Sequence, residues 1–318
     1  MKERQEDVKK IFAKHFSERI IDISPCGNHE LKRNLVYKVV LENSHYIIKF
    51  YYKPNKRVRE INAVPIIEEF NELKIVNYGI TDDGIEWMIY NFLDGWLLDQ
   101  IYDDLDLDQL RYIFYEIGKR TAKLHNITTF DYFGDVQKDK QSLLSQYHTF
   151  VVDDCERLID NLHKQNLHEI DTISNSIEKL RNEFVNIREL KFGRYTHRDL
   201  DGRNILIKIS PEKGMQLNGF LDFEKTVINN EYMDIIGFYR RYFLKEPKLI
   251  AHFFKGYEEV LPVDDTFNLE LRFNLYKTGI DICSWSLDVS KNYFESTLAY
   301  LKELERIDPL LEELYYKK

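Results

Sequence analysis

Cysteine is nearly absent from this 318-residue chain: Cys26, Cys155 and Cys283 are odd in number and far apart. They give neither a disulfide framework nor the close spacing of a metal site. Glycine (13) and proline (7) are too few for collagen-like, elastic or low-complexity sequence. No apolar run approaches the roughly 20 residues that a membrane-spanning helix needs, so no membrane partner is expected. The first twenty residues carry charges every few positions, with Val8, Ile11, Phe12, Phe16 and Ile20 at helical spacing. That pattern predicts an amphipathic helix rather than the uninterrupted apolar stretch of a signal peptide, and with the scarce cysteine it points to the cytoplasm. Excess positive charge is missing as well. A formal net charge of −9 argues against a nucleic-acid partner, whose affinity would come from phosphate neutralisation.

What is present can fold throughout. Hydrophobic residues make up 43% and charged ones 31%, and the length suits two lobes of roughly 100–200 residues each. The charge is unevenly spread: residues 1–90 hold 15 Lys/Arg against 14 Asp/Glu, and residues 91–318 hold 30 against 40. Ordinary solubility accounts for such an imbalance, and so does a cationic ligand held by the second part.

Apolar alternation predicts strands at Ile20–Ser24, Leu35–Leu41, Tyr46–Tyr51 and Glu86–Phe92, separated by turns such as Asp82-Asp83-Gly84. Asn55–Leu73 reads as a helix broken by Pro65. Beyond Gly95 long helices are predicted at 107–126, 141–164, 170–189, 231–256 and 267–315. One strand-like island, Gly193–Ile209 with Met215–Phe223, interrupts them. The expected division is 1–92, a nucleotide-binding lobe, and 93–318, a helical lobe carrying the catalytic loop and acceptor site.

The island carries chemistry. His197-Arg198-Asp199-Leu200-Asp201-Gly202-Arg203-Asn204 is followed by Leu221-Asp222-Phe223-Glu224, the ordered set that phosphoryl transfer needs. Asp199 can accept or orient the proton of an attacking hydroxyl. Asn204 and Asp222 can hold Mg²⁺ on the phosphates. A polar turn at Ser210–Gly214 predicts a hairpin returning Asp222 beside Asn204. Any one of these residues is more simply a solubilising turn residue; the ordered set is not.

Upstream, Lys49 stands alone in the apolar strand Tyr46–Tyr51, costly to bury unless paired. Glu60 is its expected partner, with Glu68 and Glu69 as rivals because Pro65 blurs the helical register. Between the first two strands Gly27 and Asn28 occupy the place of a phosphate-cradling loop, although a single glycine is weak as a motif. Asn91 and Leu93, in the connection between lobes, would offer backbone groups to a purine.

Together these residues resemble the aminoglycoside phosphotransferase and choline kinase superfamily, the small-molecule branch of the protein-kinase-like fold. The resemblance runs from Lys49 and Arg59-Glu60 through Asn91–Gly95, Gly118, Leu124-His125 and Phe133-Gly134 to the His197–Asn204 loop, Asp222–Glu224 and Asp234. It implies a bilobal α+β fold: an N-terminal antiparallel-sheet lobe with one main helix, and a larger, mostly helical C-terminal lobe. It implies Asp199 as the catalytic aspartate, Asn204 and Asp222 as Mg²⁺ ligands, and Lys49 on the α/β-phosphates of ATP or GTP. His197 and Asp234 would support the catalytic loop structurally. Arg198 stands where small-molecule members usually carry glycine.

A protein substrate is not expected. Only twelve residues separate Asp222 from Asp234, leaving no room for a peptide-docking activation loop, and the place two after Asp199 holds Asp201 rather than lysine. The expected acceptor is a small hydroxyl compound of cationic character, an aminoglycoside-type antibiotic first. Asp201, together with Arg198 and Glu224, is placed in its site. The acidic run Asp94, Asp99, Asp103, Asp104, Asp106 and Asp108 is a further candidate, unless it merely caps the helix from Leu107. A metabolic acceptor (choline-, homoserine- or sugar-like) is the alternative, and a catalytically silent nucleotide-binding protein is the rival of another class.

Overall fold

A computed structural model describes residues 3–27, 34–136, 146–264 and 266–315. The chain forms two compact units, Met1–Gln100 with Asn204–Thr226, and Ile101–Arg203 with Val227–Lys318.

In the first unit, β1 (Ile20–Cys26), β2 (Asn34–Leu41), β3 (His45–Tyr51), β4 (Ile75–Ile80) and β5 (Glu86–Asn91) form an antiparallel sheet in the order β1-β2-β3-β5-β4. Period-two alternation explains β2: Leu35, Tyr37, Val39 and Leu41 are buried while their neighbours are not. The helix α1 (Gln5–His15) lays Val8, Ile11 and Phe12 on that face. It stops short of the predicted pattern, because Phe16 is already extended (φ −130°) and Ile20 opens β1. The edge strand β4 was not expected from the sequence. Its Val76, Tyr78 and Ile80 are exposed while Ile75, Asn77 and Gly79 are half-buried, and Asn77 and Gly79, residues that strands disfavour, weaken the strand signal. The helix α2 (Lys56–Ile67) runs through Pro65 rather than breaking there. Pro65 lacks the N–H that would bond the Ile61 carbonyl, and the helix continues only two residues beyond it.

The same unit holds the hairpin β10 (Ile205–Ser210) and β11 (Gly214–Phe220), with β6 (Trp96–Leu97) paired to β10. Gly95, at φ +141°, lets the chain approach closely: a Cβ there would meet the carbonyl oxygen of Ile207 at 2.5 Å.

The second unit is mostly helical. After α3 (Leu98–Ile101), which crosses the unit boundary at its last residue, the described residues of this unit form α4 (Leu107–His125), α5 (Tyr147–Lys164), α6 (Asp171–Asn182), α7 (Tyr232–Phe238), α8 (Lys248–Glu258), α9 (Thr266–Ser286) and α10 (Lys291–Ile307). Asp106 caps α4 in a reciprocal box with Gln109. α4 and α8 touch through two glycines: a Cβ on Gly118 would run into the carbonyl of Phe253, and one on Gly256 into that of Tyr115. A small sheet orders β7 (Thr129–Phe130), β9 (Gly193–Thr196), β12 (Val227–Asn229) and β8 (Gly134–Asp135) as β7-β9-β12-β8.

Two expected long helices are each divided. Within 231–256, α7 passes into a π-helical turn, Tyr239–Phe243, and Pro247 separates it from α8. Within 267–315, the chain breaks after Ser286 and Ser290 restarts it as the N-cap of α10, accepting from the Tyr293 amide. Predicted 141–164 begins at Tyr147 within the described residues, and 170–189 ends as α6 at Asn182. None of the described helices is long and apolar enough to cross a membrane. The expected α+β architecture, a sheet-bearing unit and a larger helical one, is the one found.

Candidate active site

Lys49 sits mid-strand on β3, opposite Val36 of β2 and Met88 of β5, and is 6% exposed. A buried ammonium needs counter-charge, and three carboxylates supply it. Lys49 Nζ lies 2.6 Å from Asp222 Oδ1, 2.8 Å from Glu224 Oε2 and 3.4 Å from Glu60 Oε2. Burial alone would lower the Lys49 pKa; Asp222, Glu60 and Glu224 together hold it well above the ordinary lysine range. Of the three glutamates considered, Glu60 is the one that meets Lys49. It also accepts from the hydroxyls of Tyr51 and Tyr90. Burial pushes its carboxyl upward against the pull of Lys49. Glu224 shows the opposite balance: burial would raise it, but Lys49 and Lys56, with a 2.6 Å bond from Asn34 Nδ2, hold it below the usual carboxylate range.

The hairpin aligns the two residues expected to hold metal. Ile205 pairs with Phe220, and the Leu221 amide donates to the Asn204 carbonyl at 2.9 Å, so Asn204 and Asp222 stand at the same end. Asn71 fixes that end: its amide nitrogen donates to the Phe220 carbonyl (3.1 Å) and its oxygen accepts from the Phe220 amide (2.7 Å). No sequence signal marked Asn71, whose value is set by a strand 149 residues away. Asp222 itself adopts φ +63°, a left-handed geometry that non-glycine residues enter at a cost.

These residues fit Mg²⁺. Asn204 and Asp222 are hard oxygen donors, and Mg²⁺ is usually held by one or two carboxylates with substrate phosphates. Lys49 and Lys56 face Asp222, Glu224 and Glu60, so the cluster carries more carboxylate than ammonium, an imbalance that a divalent cation offsets.

In the second unit β9 leads into the His197–Arg203 loop, and one carboxylate organises it. Asp234, in the first turn of α7 and 1% exposed, accepts from the His197 amide (2.7 Å), the Arg198 amide (2.7 Å) and His125 Nε2 (3.1 Å). On the other side of the ring, His125 Nδ1 is hydrogen-bonded with the Tyr257 hydroxyl at 2.8 Å. Burial would raise the Asp234 carboxyl, but His125 and the His197 amide hold it below the ordinary aspartate range. α7 comes close through Gly237, where a Cβ would meet the Leu200 carbonyl oxygen at 2.7 Å. The buried His197 accepts the Asp199 amide on Nδ1 at 3.3 Å.

Arg198 has φ +62°, which gives the physical reason a glycine suits this position. Its side chain lies 3.9 Å from Asp281 and also acts electrostatically on Asp154. Arg198→Gly is therefore expected to be more stable than Arg198→Ala by about 1 kcal/mol, since both lose the side chain and only glycine escapes the left-handed penalty. Chemical denaturation of the two variants checks this; an alanine variant as stable as the glycine one contradicts it.

Asp201 is 5% exposed and already engaged. Arg203 contacts it through Nε and NH2 (2.9 and 2.6 Å), and Arg241 Nε lies 3.1 Å away. Arg203 NH2 also lies 3.4 Å from Asp199 Oδ1. Among the acidic run, Asp106 is committed to the α4 cap. Glu270 is buried against Asn230 and Arg188. Asp201, Asp106 and Glu270 are thus engaged within the protein, whereas Asp103 and Asp104 of the acidic run are exposed. Asn91 uses its side chain on Lys74 and Glu72 backbone groups, Leu93 is half-buried near Gly219, and Gly27 ends β1 at φ +77°. Asn28 lies outside the described residues.

A β3 lysine held by a helix glutamate, a hairpin ending in Asn204 and Asp222, and a buttressed His-Arg-Asp loop define a phosphotransferase of protein-kinase-like fold. Residues 30–267 match the model of the phosphotransferase enzyme family, and the chain belongs to that family, nucleotide-dependent kinase-like enzymes acting on small molecules. Among solved structures, a thermostable mutant of aminoglycoside phosphotransferase APH(4)-Ia, in ternary complex with AMP-PNP and hygromycin B, is similar with a TM-score of 0.71. Its identity is 12%, over 94% of this chain and 98% of that one. Wild-type aminoglycoside 2'-phosphotransferase-IIIa in its GDP complex gives 0.71 at 13% identity, over 96% and 100%. Spectinomycin phosphotransferase, APH(9)-Ia, with ADP and spectinomycin gives 0.65 at 13%, over 94% of each chain. At such identities the likeness is one of fold. No curated protein matches.

Proposed function

We propose that this protein transfers the γ-phosphate of ATP or GTP to a hydroxyl of a small molecule. The observation that carries the reading is the Lys49–Asp222–Glu224–Glu60 cluster at the mouth of the Asn204–Asp222 hairpin. Lys49 binds the α/β-phosphates, with Glu60 and Glu224 fixing its ammonium. Asn204 and Asp222 would hold Mg²⁺, which when bound supplies charge neutralisation on the β/γ-phosphates. Asp199 orients the acceptor hydroxyl for in-line attack and takes its proton, while His197, Arg198 and Asp234 keep its loop in place. Residues 1–92 with the hairpin serve the nucleotide, and the helical unit serves the acceptor.

The neighbouring structures hold hygromycin B and spectinomycin, which supports an antibiotic acceptor by analogy of fold. The charges around Asp201 support the metabolic alternative better, because two guanidiniums already occupy the carboxylate a polycation would seek.

The test is a coupled nucleotide-consumption screen against aminoglycosides, amino alcohols, sugars and hydroxy acids, with mass analysis of products. The expected result is Mg²⁺-dependent release of diphosphate nucleotide together with one phosphoryl group on a small acceptor. Lys49→Met is expected to weaken nucleotide binding roughly 10- to 100-fold, the loss of one charge-assisted contact worth about 1.5–3 kcal/mol. Phosphate found in polypeptide, or nucleotide binding indifferent to Lys49→Met, would sink the reading.

A further inference from the structure

The π-helical turn Tyr239–Phe243 presents two consecutive arginines, and such turns often mark functional positions. Arg241 is spent on Asp201. Arg240 is placed differently. Its guanidinium carbon stands 5.6 Å from the ring centre of Tyr293 and 5.5 Å from that of Tyr300, both on α10. One NH group lies 3.4 Å from the Tyr293 hydroxyl. Among the described residues no carboxylate makes an ion pair with Arg240, although it is half-buried. A half-buried cation without a counter-ion is unfavourable unless something else supplies the charge, and a guanidinium stacked on aromatic faces keeps its fork of donors oriented for a planar oxyanion.

Tyr293 ties this arginine to the catalytic loop. Burial would raise its hydroxyl pKa, yet the net direction is downward because Arg240 and Arg203 face it, with Asp199 opposing from the same neighbourhood. Around the loop stand Arg198, Arg203, Arg240 and Arg241 against Asp199, Asp201, Asp234 and Asp281. Lys277 and Asp154 neutralise each other at 3.0 Å. Four guanidiniums therefore balance four carboxylates beside the residue proposed to activate the acceptor, and Arg240 is the guanidinium of this group without a carboxylate ion pair among the described residues.

We propose that the acceptor carries an oxyanion, a carboxylate or a phosphate, bound by Arg240 with the Tyr293 hydroxyl while the reacting hydroxyl faces Asp199. This rests on the reading of Asp199 given above and narrows the acceptor to anionic hydroxy compounds. A polycationic antibiotic would place like charge against Arg240.

The experiment saturates the full-length protein with Mg²⁺ and a non-hydrolysable ATP analogue, so that phosphates cannot reach Lys49. Two matched pairs are then titrated by calorimetry: glycerate against glyceramide, and glycerol 3-phosphate against glycerol. At least one charged member is expected to bind roughly 30-fold or more tightly than its neutral partner. Arg240→Gln should abolish that preference, and Arg240→Lys, which keeps the charge without the planar fork, should retain part of it. Equal binding within both pairs, no binding of either charged probe, or a preference that survives Arg240→Gln overturns the inference. Asp199→Asn separates the two proposals, since it should leave the anion preference in place. Should Asp199→Asn keep transferring phosphate, the assignment of the base fails while the oxyanion site stands.

Discussion

Asp199→Asn slows phosphoryl transfer by roughly 100- to 10,000-fold, the usual reach of general-base assistance, equivalent to about 3–5 kcal/mol of barrier. Nucleotide affinity is retained, because Lys49, Glu60, Glu224, Asn204 and Asp222 are untouched. This split is the opposite of that expected for Lys49→Met, and the pair of variants assigns chemistry and binding to different residues. The Asp199 amide is held on His197 Nδ1 and its carboxylate shares Arg203, so an isosteric amide keeps the loop's shape and loses the base. Single-turnover kinetics beside nucleotide titration measures both numbers. An Asp199→Asn enzyme with near-normal turnover assigns the base elsewhere.

Asp234→Ala is expected to be the most damaging change to stability among the site residues. It strips the acceptor from two backbone amides and from buried His125, and unsatisfied buried donors cost about 1–3 kcal/mol each, giving roughly 3–9 kcal/mol in all. Turnover falls as well, since the carboxylate that holds the Arg198 amide in its left-handed turn is gone. Acid adds a second readout. The folded Asp234 carboxyl lies below its unfolded value, so its stabilisation is complete above the ordinary aspartate pKa of about 3.9 and is lost as pH falls through the folded value. Urea midpoints measured from pH 7 downward should drop more steeply in the wild type than in Asp234→Asn, which cannot titrate. Parallel curves would remove Asp234 from the acid response.

Much of this site was legible because phosphoryl transfer demands an ordered set. Asp199, Asn204 and Asp222 are separated by short, locally determined turns, and a polar break between two apolar runs is enough to predict their hairpin. Lys49 was legible for a different reason: a single ammonium in an apolar strand requires partners. The missed β4 and the divided helices failed on equally definite grounds. Asn77 and Gly79 weaken the strand signal of Ile75–Ile80, whose Val76, Tyr78 and Ile80 face outward, and Pro247 and Ser290 interrupt helical periodicity that otherwise continues.

By itself, then, the sequence determined the family and reaction class, and it nominated Asp199 as base, Asn204 and Asp222 as metal-binding oxygens and Lys49 as phosphate lysine, since such assignments depend on residue type and near spacing. Only the tertiary structure chose Glu60 over Glu68 and Glu69, set Glu224 beside Lys49, spent Asp201 on Arg203 and Arg241, and left Arg240 between two tyrosines without a carboxylate. Charge pairing across long stretches of chain is decided by packing, which brings together groups whose order in the sequence carries no trace of the contact.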